Sequence, residues 1–406
     1  MLTVKTPEEV IDLLREAFPP CAEPEEVPLA KALGRVLFRP VSASEYVPGF
    51  DRSTVDGYAV RSADTFGCSD AMPALLMKKG EILMGERAGF GIGPGECAAV
   101  PTGGAIPAGA DAMVMVEYTE DYGDGTIGIL KSAAPGAGLI FRGDDVFPGK
   151  EVLPAGRKLT VQDIGALAAM GVCSVTVAKR PVAGIISTGD ELVPVEETPA
   201  DGQIRDVNSA MLAALAEEAG AESICYGILK DGEERLAGAV ERALSECSLV
   251  LISGGSSVGL KDSTCRVLEK KGEVLFHGIA MKPGKPTILG RADGKPVFGL
   301  PGHPVAAFFV SELFVRPLIA QMTGRQLQVR EIPAVLSETI SANDGRAQYL
   351  GVFLKEKDGV TYAEPIHSKS GLITNMAASD GFFCIPRDCE GIHAGKTVSV
   401  RLYSIN

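Results

Sequence analysis

The clearest fold signal in the chain comes from residues 181–193, PVAGIISTGDELV, and from residues 248–259, SLVLISGGSSVG. Each begins with a short apolar run and then changes to polar residues and glycine, which is typical of a buried strand that ends in a loop. Helical patterns at 209–219 and 233–246 alternate with these strands and with another at 223–229. This alternation predicts βαβ units with a parallel sheet, in a block that begins at Pro181 and ends with a helix from Pro304 to about Met322.

The pattern differs on both sides of this block. Thr6 and Glu9 form a capping box that predicts an N-terminal helix, and Thr160 begins a second helix that stops at Gly171. Residues 45–150 lose helical periodicity and are rich in Gly and Pro, which indicates a small β-rich unit. The last 80 or so residues form short alternating runs, which predict a C-terminal β-barrel or sandwich.

Composition limits the classes of function. The chain has 406 residues, which at roughly 150 residues per domain predicts two to four domains. Its net charge of −13 disfavours nucleic acid and anionic membranes as partners. The nine scattered cysteines contain no CxxC pair, which fits a reducing compartment. No apolar segment is expected to approach the roughly 20 residues of a membrane span, so the chain is predicted to be cytoplasmic.

Polar loops follow the predicted strands at one edge of the sheet, where parallel sheets bind ligands. Their sequences are STGDE at 187–191, KDG at 230–232, SGGSSVG at 253–259, KPGKP at 282–286 and LPGHP at 300–304. GGSSVG is neither a Walker A motif nor GxGxxG. It is either a tight turn or a loop whose backbone N–H groups approach an anion.

Charged residues in these loops predict the chemistry of the site. Four carboxylates at one edge would repel each other unless a divalent cation joined them, and Mg²⁺ with a phosphate-bearing substrate would resolve that conflict. They are Asp190, Glu191, Asp231 and Asp262. Helix capping is the alternative role for these acids. Lys282 and Lys285 are held by flanking prolines and suit an oxyanion, although they could also be solvated turn residues.

Other candidates are less distinctive. His303 follows a Pro-Gly turn and is more simply explained as a surface or helix-start histidine than as a catalytic base. In the Gly/Pro-rich unit, Asp56 lies in FDRSTVDGYAV, Thr102 in PTGG and Asp145 in RGDD. Each of these segments could equally be only a loop.

The combination of motifs is more specific than any one of them. DGYA, PTGG, RGDD, STGDEL, GGSSVG followed by Asp262, MKPGKP and GLPGHPV occur in the order and spacing of one family. Over essentially all 406 residues, the chain resembles the molybdopterin molybdenumtransferase family, which is related to the gephyrin E domain.

The resemblance implies a multidomain fold and an elongated homodimer. A discontinuous helical domain would comprise residues 1–44 and 150–180, and a β domain residues 45–149. A three-layer α/β domain with a mostly parallel sheet, the molybdopterin-binding fold, would comprise residues 181–325. A C-terminal β domain, expected to be a β-barrel, would comprise residues 326–406. The active cleft would lie between the α/β domain of one subunit and the β domain of the other.

The resemblance also implies a reaction and a set of site residues. Molybdate and adenylylated molybdopterin would be the substrates, AMP would be released, and Mg²⁺ would be required. Asp56, Glu191 and Asp231 would be catalytic, and Asp190, Glu191 and Asp262 would hold the metal. The residues expected to bind substrate are Thr102, Asp145, Ser187, Thr188, Gly254, Gly255, Ser257, Lys282, Lys285, Pro301 and His303.

The resemblance also suggests partner proteins and two competing functions. The adenylyltransferase of the preceding step and apo-molybdoenzymes are candidate partners. Adenylyltransferase activity and a scaffold role of the gephyrin type are the competing functions; the β domain with Asp56 argues against the first, and the acidic and lysine motifs argue against the second. Three positions depart from the family's usual residues. His303 stands where the family usually has Asn, Ser256 where Val is common, and Ala378 where Arg is often found. The preference between molybdate and tungstate cannot be predicted, because both are tetrahedral dianions of nearly equal size.

Overall fold

The structure is a computed structural model that describes residues 4–254, 258–325, 327–342, 345–367 and 371–403, with backbone only for 258–262. The chain begins with the predicted helix, which both halves of the Thr6–Glu9 capping box stabilise. The first elements are α1 (Pro7–Ala17), β1 (Pro24–Pro28), a 3₁₀ turn (Leu29–Lys31) and β2 (Val41–Ser42). The apolar face of α1, with Val10 and Leu14, packs into the core of the α/β unit.

The Gly/Pro-rich segment forms a six-stranded sheet with its own core. The strands of the whole segment, inside and outside this sheet, are β3 (Arg52–Ser53), β4 (Gly57–Val60), β5 (Ala74–Glu81), β6 (Glu96–Val100), β7 (Ala112–Met115), β8 (Thr119–Asp121), β9 (Thr126–Ile129) and β10 (Leu139–Ile140), with 3₁₀ turns at Ser62–Thr65 and Val116–Tyr118. The order in the sheet is β7-β4-β6-β5-β9-β8, and β3 pairs with β10 outside it. Ile127 and Ile129 are fully buried in its core.

The next elements return to the first part of the chain. They are β11 (Glu151–Leu153), α2 (Val161–Ala169) and β12 (Ser174–Ala178). Antiparallel pairing joins β12 to β1 and β11 to β2, and one hydrophobic cluster contains residues of both segments, such as Leu37 and Val177. The two segments therefore fold as one discontinuous unit, although the domain boundaries stay a prediction.

The α/β unit has three layers. Its elements are β13 (Val182–Thr188), β14 (Leu192–Val193), β15 (Ile204–Arg205), α3 (Val207–Ala219), β16 (Glu222–Leu229), α4 (Glu233–Glu246), β17 (Leu249–Gly254), α5 (Val258–Lys271), β18 (Gly272–His277), β19 (Met281–Lys282), β20 (Ile288–Ala292), β21 (Lys295–Leu300), α6 (Pro304–Val310), a π-helical turn (Ser311–Val315) and α7 (Arg316–Met322). The sheet order is β16-β13-β17-β21-β20-β18. The pairs from β16 to β21 are parallel, and β20 and β18 are antiparallel.

Alternate residues of the central strands enter two separate cores. Leu249 and Leu251 face the layer of α3 and the α6–α7 helix, whereas Val250 and Ile252 face α4 and α5. A strand buried on both faces reads as a continuous apolar run, which explains why β17 lacks polar alternation. The predicted three-layer fold with a mostly parallel sheet is confirmed.

The C-terminal part is the predicted β-barrel. Its elements are β22 (Glu331–Leu336), β23 (Ile340–Ser341), β24 (Ala347–Lys357), β25 (Val360–Pro365), α8 (Thr374–Ala377), β26 (Gly381–Ile385), β27 (Gly391–Ile392) and β28 (Thr397–Leu402). The order β24-β25-β22-β28-β26 closes because β26 also pairs with β24. Edge-to-face contact between Phe309 and Phe382, with ring centroids 5.4 Å apart, joins the barrel to α6.

One helix of the α/β unit stands out for its length and apolar composition. The continuous helix Pro304–Met322 has 19 residues and is long and apolar enough to cross a membrane by length and composition. Within the fold, 78% of its most apolar window is buried. Its apolar character is accounted for by its place in the core of the α/β unit.

Candidate active site

The carboxyl ends of four parallel strands lie side by side at one edge of the sheet. Thr188 pairs with both Leu229 of β16 and Gly254 of β17, and Ser253 pairs with Leu300 of β21. The loops that follow these strands therefore leave the sheet at the same edge, as the sequence predicts. Neighbouring strands are about 4.8 Å apart, so the loops after β13 and β21 begin about 10 Å apart.

Carboxylates occupy the β16–β13 end of this edge. Asp190 Oδ1 accepts a hydrogen bond of 3.2 Å from the backbone N–H of Asp231, and Lys230 Nζ donates to the backbone oxygen of Asp190 at 2.9 Å. Partial burial raises the pKa of Asp231, and the nearby charges of Asp190 and Glu191 raise it further. The three predicted acids therefore share one electrostatic environment.

The predicted metal set is only partly within the described structure. Among residues with described side chains, no three of the types His, Cys, Asp and Glu lie close enough to form a complete metal site. The side chain of Asp262, and Gly255 and Ser257 of the GGSSVG loop, lie outside the described residues.

The middle of the edge is closely packed around Gly254. Its φ is +135°, and a Cβ there would lie 1.9 Å from the backbone oxygen of Thr188. Only glycine permits this conformation and this approach between β13 and β17. The predicted substrate-binding residues Ser187 and Thr188 are buried at the same place, and Ser187 Oγ lies 2.7 Å from Ser209 Oγ.

A hydrogen-bond network that the sequence analysis missed ties the loops together. The Asn208 amide donates to Ser253 Oγ at 2.8 Å and to the Gly302 backbone oxygen at 2.9 Å. Asp206 caps α3 and accepts from Ser209 Oγ at 2.6 Å. The predicted start of this helix at 209 hid the signal, which is the cap sequence Asp-x-x-Ser at 206–209. These residues fix the ends of β13 and β17 and the PGHP loop relative to one another.

The β21 end of the edge opens into a cavity of about 660 Å³ between the α/β unit and the barrel. The predicted residues Lys282, Lys285, Pro301 and His303 all line it. Both lysines are exposed, and Pro301 is buried. The cavity therefore brings together four residues that the sequence places in two separate loops.

The barrel contributes residues to this cavity that the sequence analysis did not identify. Arg346 lies just before β24 and adds a third positive charge, and Gln348 is the second residue of that strand. Gln348 is 7% exposed, and its Oε1 is buried with no hydrogen-bond partner among the described residues. The pairing of β19 with β24 brings Lys282 and Gln348 into register. Ala378 does not appear among the described lining residues, whereas Arg346 does.

Of the three candidate residues in the Gly/Pro-rich unit, a described hydrogen bond joins Asp56 and Thr102 but not Asp145. Asp56 Oδ1 accepts from the Thr102 backbone N–H at 2.7 Å, and both side chains are exposed. Within the described part of the chain, Asp145 shares no hydrogen bond with this pair; its backbone oxygen accepts from Lys150 Nζ at 2.9 Å. No described hydrogen bond joins Asp56 to the sheet edge of the same chain.

Fold and site together define a multidomain α/β protein with a polar ligand site at the carboxyl edge of its sheet. Family models match most of the chain: "MoeA N-terminal region (domain I and II)" over residues 5–171, "Probable molybdopterin binding domain" over 184–321, and "MoeA C-terminal region (domain IV)" over 333–403. The chain belongs to the molybdopterin molybdenumtransferase (MoeA) family.

Individual relatives agree along the whole length. A molybdopterin molybdenumtransferase of Bacillus subtilis (strain 168) is 33% identical over 415 residues, covering 99% of this chain and 95% of the relative. One from Staphylococcus aureus (strain Mu50) is 34% identical, covering 93% and 90%. The crystal structure of the molybdopterin biosynthesis MoeA protein from Pyrococcus horikoshii OT3 superposes with a TM-score of 0.86 at 34% identity, covering 98% of this chain and all of that one.

Proposed function

We propose that this chain is a transferase of molybdenum cofactor biosynthesis that inserts molybdate into adenylylated molybdopterin and releases AMP. The charge distribution along the sheet edge carries the proposal, with carboxylates at the β13–β16 end and a cavity with three cations at the β21 end. The substrates carry matching chemistry, because one is a dianion and the other contains a phosphoanhydride.

The cavity next to β21 suits the oxyanion. Molybdate carries two negative charges and must approach a dithiolene that is attached to a phosphate, so fixed cations are needed to lower the repulsion. Lys282, Lys285 and Arg346 supply three positive charges around one cavity. The backbone oxygen of Gly284 accepts a hydrogen bond of 2.7 Å from Thr287 Oγ1, which helps to hold the loop 282–286 with its two lysines in place.

The other end of the edge suits Mg²⁺. The candidate donors are carboxylate oxygens, which is the ligand chemistry that Mg²⁺ prefers. Partial burial and then the charges of Asp190 and Glu191 raise the pKa of Asp231, and a bound cation would offset this repulsion. Asp190, Glu191 and Asp231 would supply part of the coordination, since Mg²⁺ ordinarily retains waters and binds substrate phosphates. When bound, the metal supplies polarisation of the phosphoanhydride.

The chain's own residues orient and activate the reactants. Lys282, Lys285 and Arg346 would hold the oxyanion while the two thiol sulfurs of the substrate bind molybdenum, and one molybdate oxygen leaves as water with the two thiol protons. Water cleaves the phosphoanhydride P–O bond, and AMP departs with its phosphate. Glu191 or Asp231 would take the proton of that water as the general base. A cysteine or serine nucleophile is not required.

A second copy of the chain would complete the site. Asp56 and Thr102 are exposed and make no described hydrogen bond to the sheet edge of their own chain. In a homodimer, the Gly/Pro-rich unit of one subunit can meet the sheet edge of the other and add Asp56 to the cleft. We place the protein in the cytoplasm, which is supported by its nine free cysteines.

The reaction is tested by incubating purified protein with adenylylated molybdopterin, Mg²⁺ and molybdate, while AMP release and reconstitution of an apo-molybdoenzyme are measured. Lys285→Met should reduce insertion at least tenfold, since a hydrogen bond to a charged group contributes about 1.5–3 kcal/mol. Lys357→Met, at an exposed barrel hairpin, is the matched control and should retain activity. Formation of adenylylated molybdopterin from ATP, without molybdate insertion, would instead identify an adenylyltransferase.

The homodimer is tested by mixing two inactive variants. If Asp56 acts in trans, hybrids of Asp56→Asn and Lys285→Met subunits contain one intact site, and the mixture should recover about one quarter of wild-type activity. If both residues serve the site of their own subunit, mixing restores nothing. Light scattering on the same samples gives the oligomeric state.

A further inference from the structure

A second cavity, of about 680 Å³, lies where three parts of the chain meet. Its walls are the loop 154–160, the α6–α7 helix with the segment after it, and the barrel residues 401–403. It shares no described lining residue with the cavity at the sheet edge. We call it the basic cleft, because it is lined by Arg157, Lys158, Arg316, Arg325, Arg330 and Arg401 and by one carboxylate, Glu312.

Three of these cations are neutralised by the protein. Arg157 forms an ion pair of 2.8 Å with Asp163. Arg316 pairs with Glu312 at 2.6 Å and with Glu218 at 2.8 Å. Arg401 reaches the other oxygen of Glu312 at 3.4 Å. Asp163, Glu218 and Glu312 are therefore already in ion pairs with these three arginines.

The other three cations have no such partner. Within the described part of the chain, the side chains of Lys158, Arg325 and Arg330 form no hydrogen bond and no ion pair. Burial and then the charge of Arg325 lower the pKa of Lys158, and the charge of Glu218 offsets this only in part. Burial and then the charge of Arg316 lower the pKa of Arg325, and Glu218 again offsets this only in part. Like charges are thus held together at a cost in a protein whose net charge is −13.

We propose that the basic cleft binds a small anion that contains two linked phosphate groups, at a site separate from the catalytic one. A diphosphate carries roughly three negative charges near neutral pH, which matches the three unpaired cations. Arginine is well suited to this ligand, since its planar fork binds phosphate oxygens in pairs. The volume lies within the range of small-molecule sites.

Two sources would supply the diphosphate group, namely inorganic pyrophosphate and a nucleoside diphosphate. The cleft also has an apolar wall with Leu327, Val329 and Tyr403. This wall could contact a nucleoside attached to the phosphates. Comparison of pyrophosphate with ADP therefore distinguishes the two sources.

The test is isothermal titration calorimetry on the full-length protein. The Lys282→Met/Lys285→Met/Arg346→Met background removes all three cations of the sheet-edge cavity, so titration of pyrophosphate and ADP without Mg²⁺ then reports the basic cleft. We expect saturable binding of one ligand per chain, and at least tenfold weaker binding after Lys158→Met or Arg325→Met. ADP that binds more tightly than pyrophosphate would assign the nucleotide, and equal affinities would assign the inorganic ion.

Control measurements keep a folding defect apart from a binding defect. Lys158→Met and Arg325→Met remove repelling charges, so their melting temperatures without ligand should equal or exceed that of the parent. In the otherwise wild-type chain, both variants should retain molybdate insertion. The proposal is overturned if folded background protein binds neither ligand, or if Lys158→Met and Arg325→Met leave the affinity unchanged. Because the readout is binding in a variant without insertion activity, its failure is distinct from failure of the proposed function.

Discussion

Gly284 is the position where one methyl group should disturb the oxyanion cavity most directly. It lies between Lys282 and Lys285, is buried, and has a φ of +121°, a conformation that side chains disfavour. In Gly284→Ala, the new Cβ would lie 2.8 Å from Val310 Cγ2 and 3.0 Å from Met281 Sδ. The loop would have to move away from α6, and the two lysines would move with it.

The loss of folding stability in Gly284→Ala can be separated into backbone strain and overpacking with a matched control variant. Gly294 also has a positive φ, +75°, but a Cβ there meets no atom within 4 Å. Gly294→Ala should therefore cost only the backbone strain, about 1–2 kcal/mol. Gly284→Ala should cost that strain and the overpacking, which adds about 1–3 kcal/mol. Urea unfolding of both variants measures the difference.

Molybdate binding is the second readout for this pair. Gly284→Ala should weaken binding at least tenfold, which corresponds to about 1.4 kcal/mol, whereas Gly294→Ala should bind like wild type. Equal stability of the two variants, together with unchanged affinity of Gly284→Ala, would refute the close packing of this loop and its role in placing the lysines.

Three further substitutions test other parts of the site. Without Mg²⁺, Asp231→Asn should raise the free energy of unfolding by less than about 1 kcal/mol, because an exposed group is screened by solvent. This stabilisation should reach its maximum above the raised pKa of Asp231 and disappear below the pKa of the unfolded state, about 3.9. Urea titrations at several pH values measure it. The substitution should also lower Mg²⁺ affinity in calorimetry. Gln348→Met should stabilise the protein by about 1 kcal/mol in urea unfolding, since it removes a buried, unpartnered oxygen. Arg346→Met should weaken molybdate binding roughly tenfold with little change in melting temperature.

Local sequence patterns predicted the elements of the α/β unit closely. The helix predicted at 233–246 has those bounds, and the strand predicted at 223–229 begins only one residue earlier, at Glu222. Asp262, for which helix capping was the alternative role, lies inside α5, which begins four residues earlier at Val258. Caps and apolar periodicity are local, so they can be recognised without knowing the rest of the fold.

The parts of the site that the sequence did not reveal depend on distant contacts. Arg346 and Gln348 reach the cavity only because β24 pairs with β19, more than 60 residues earlier in the chain. Neither residue belongs to a recognisable motif, and the hydrophobic pattern of a barrel strand does not indicate what the strand faces. The buried Asn208 is similar, since its partners Ser253 and Gly302 come from two other loops.

The central prediction is that molybdate binds among Lys282, Lys285 and Arg346. Anomalous diffraction at the molybdenum absorption edge tests it directly. Crystals soaked in molybdate should show an anomalous peak inside the cavity between the α/β unit and the barrel, and Lys285→Met crystals treated in the same way should lose it. A molybdenum peak elsewhere with this cavity empty, or a peak that persists unchanged in Lys285→Met, would contradict the account.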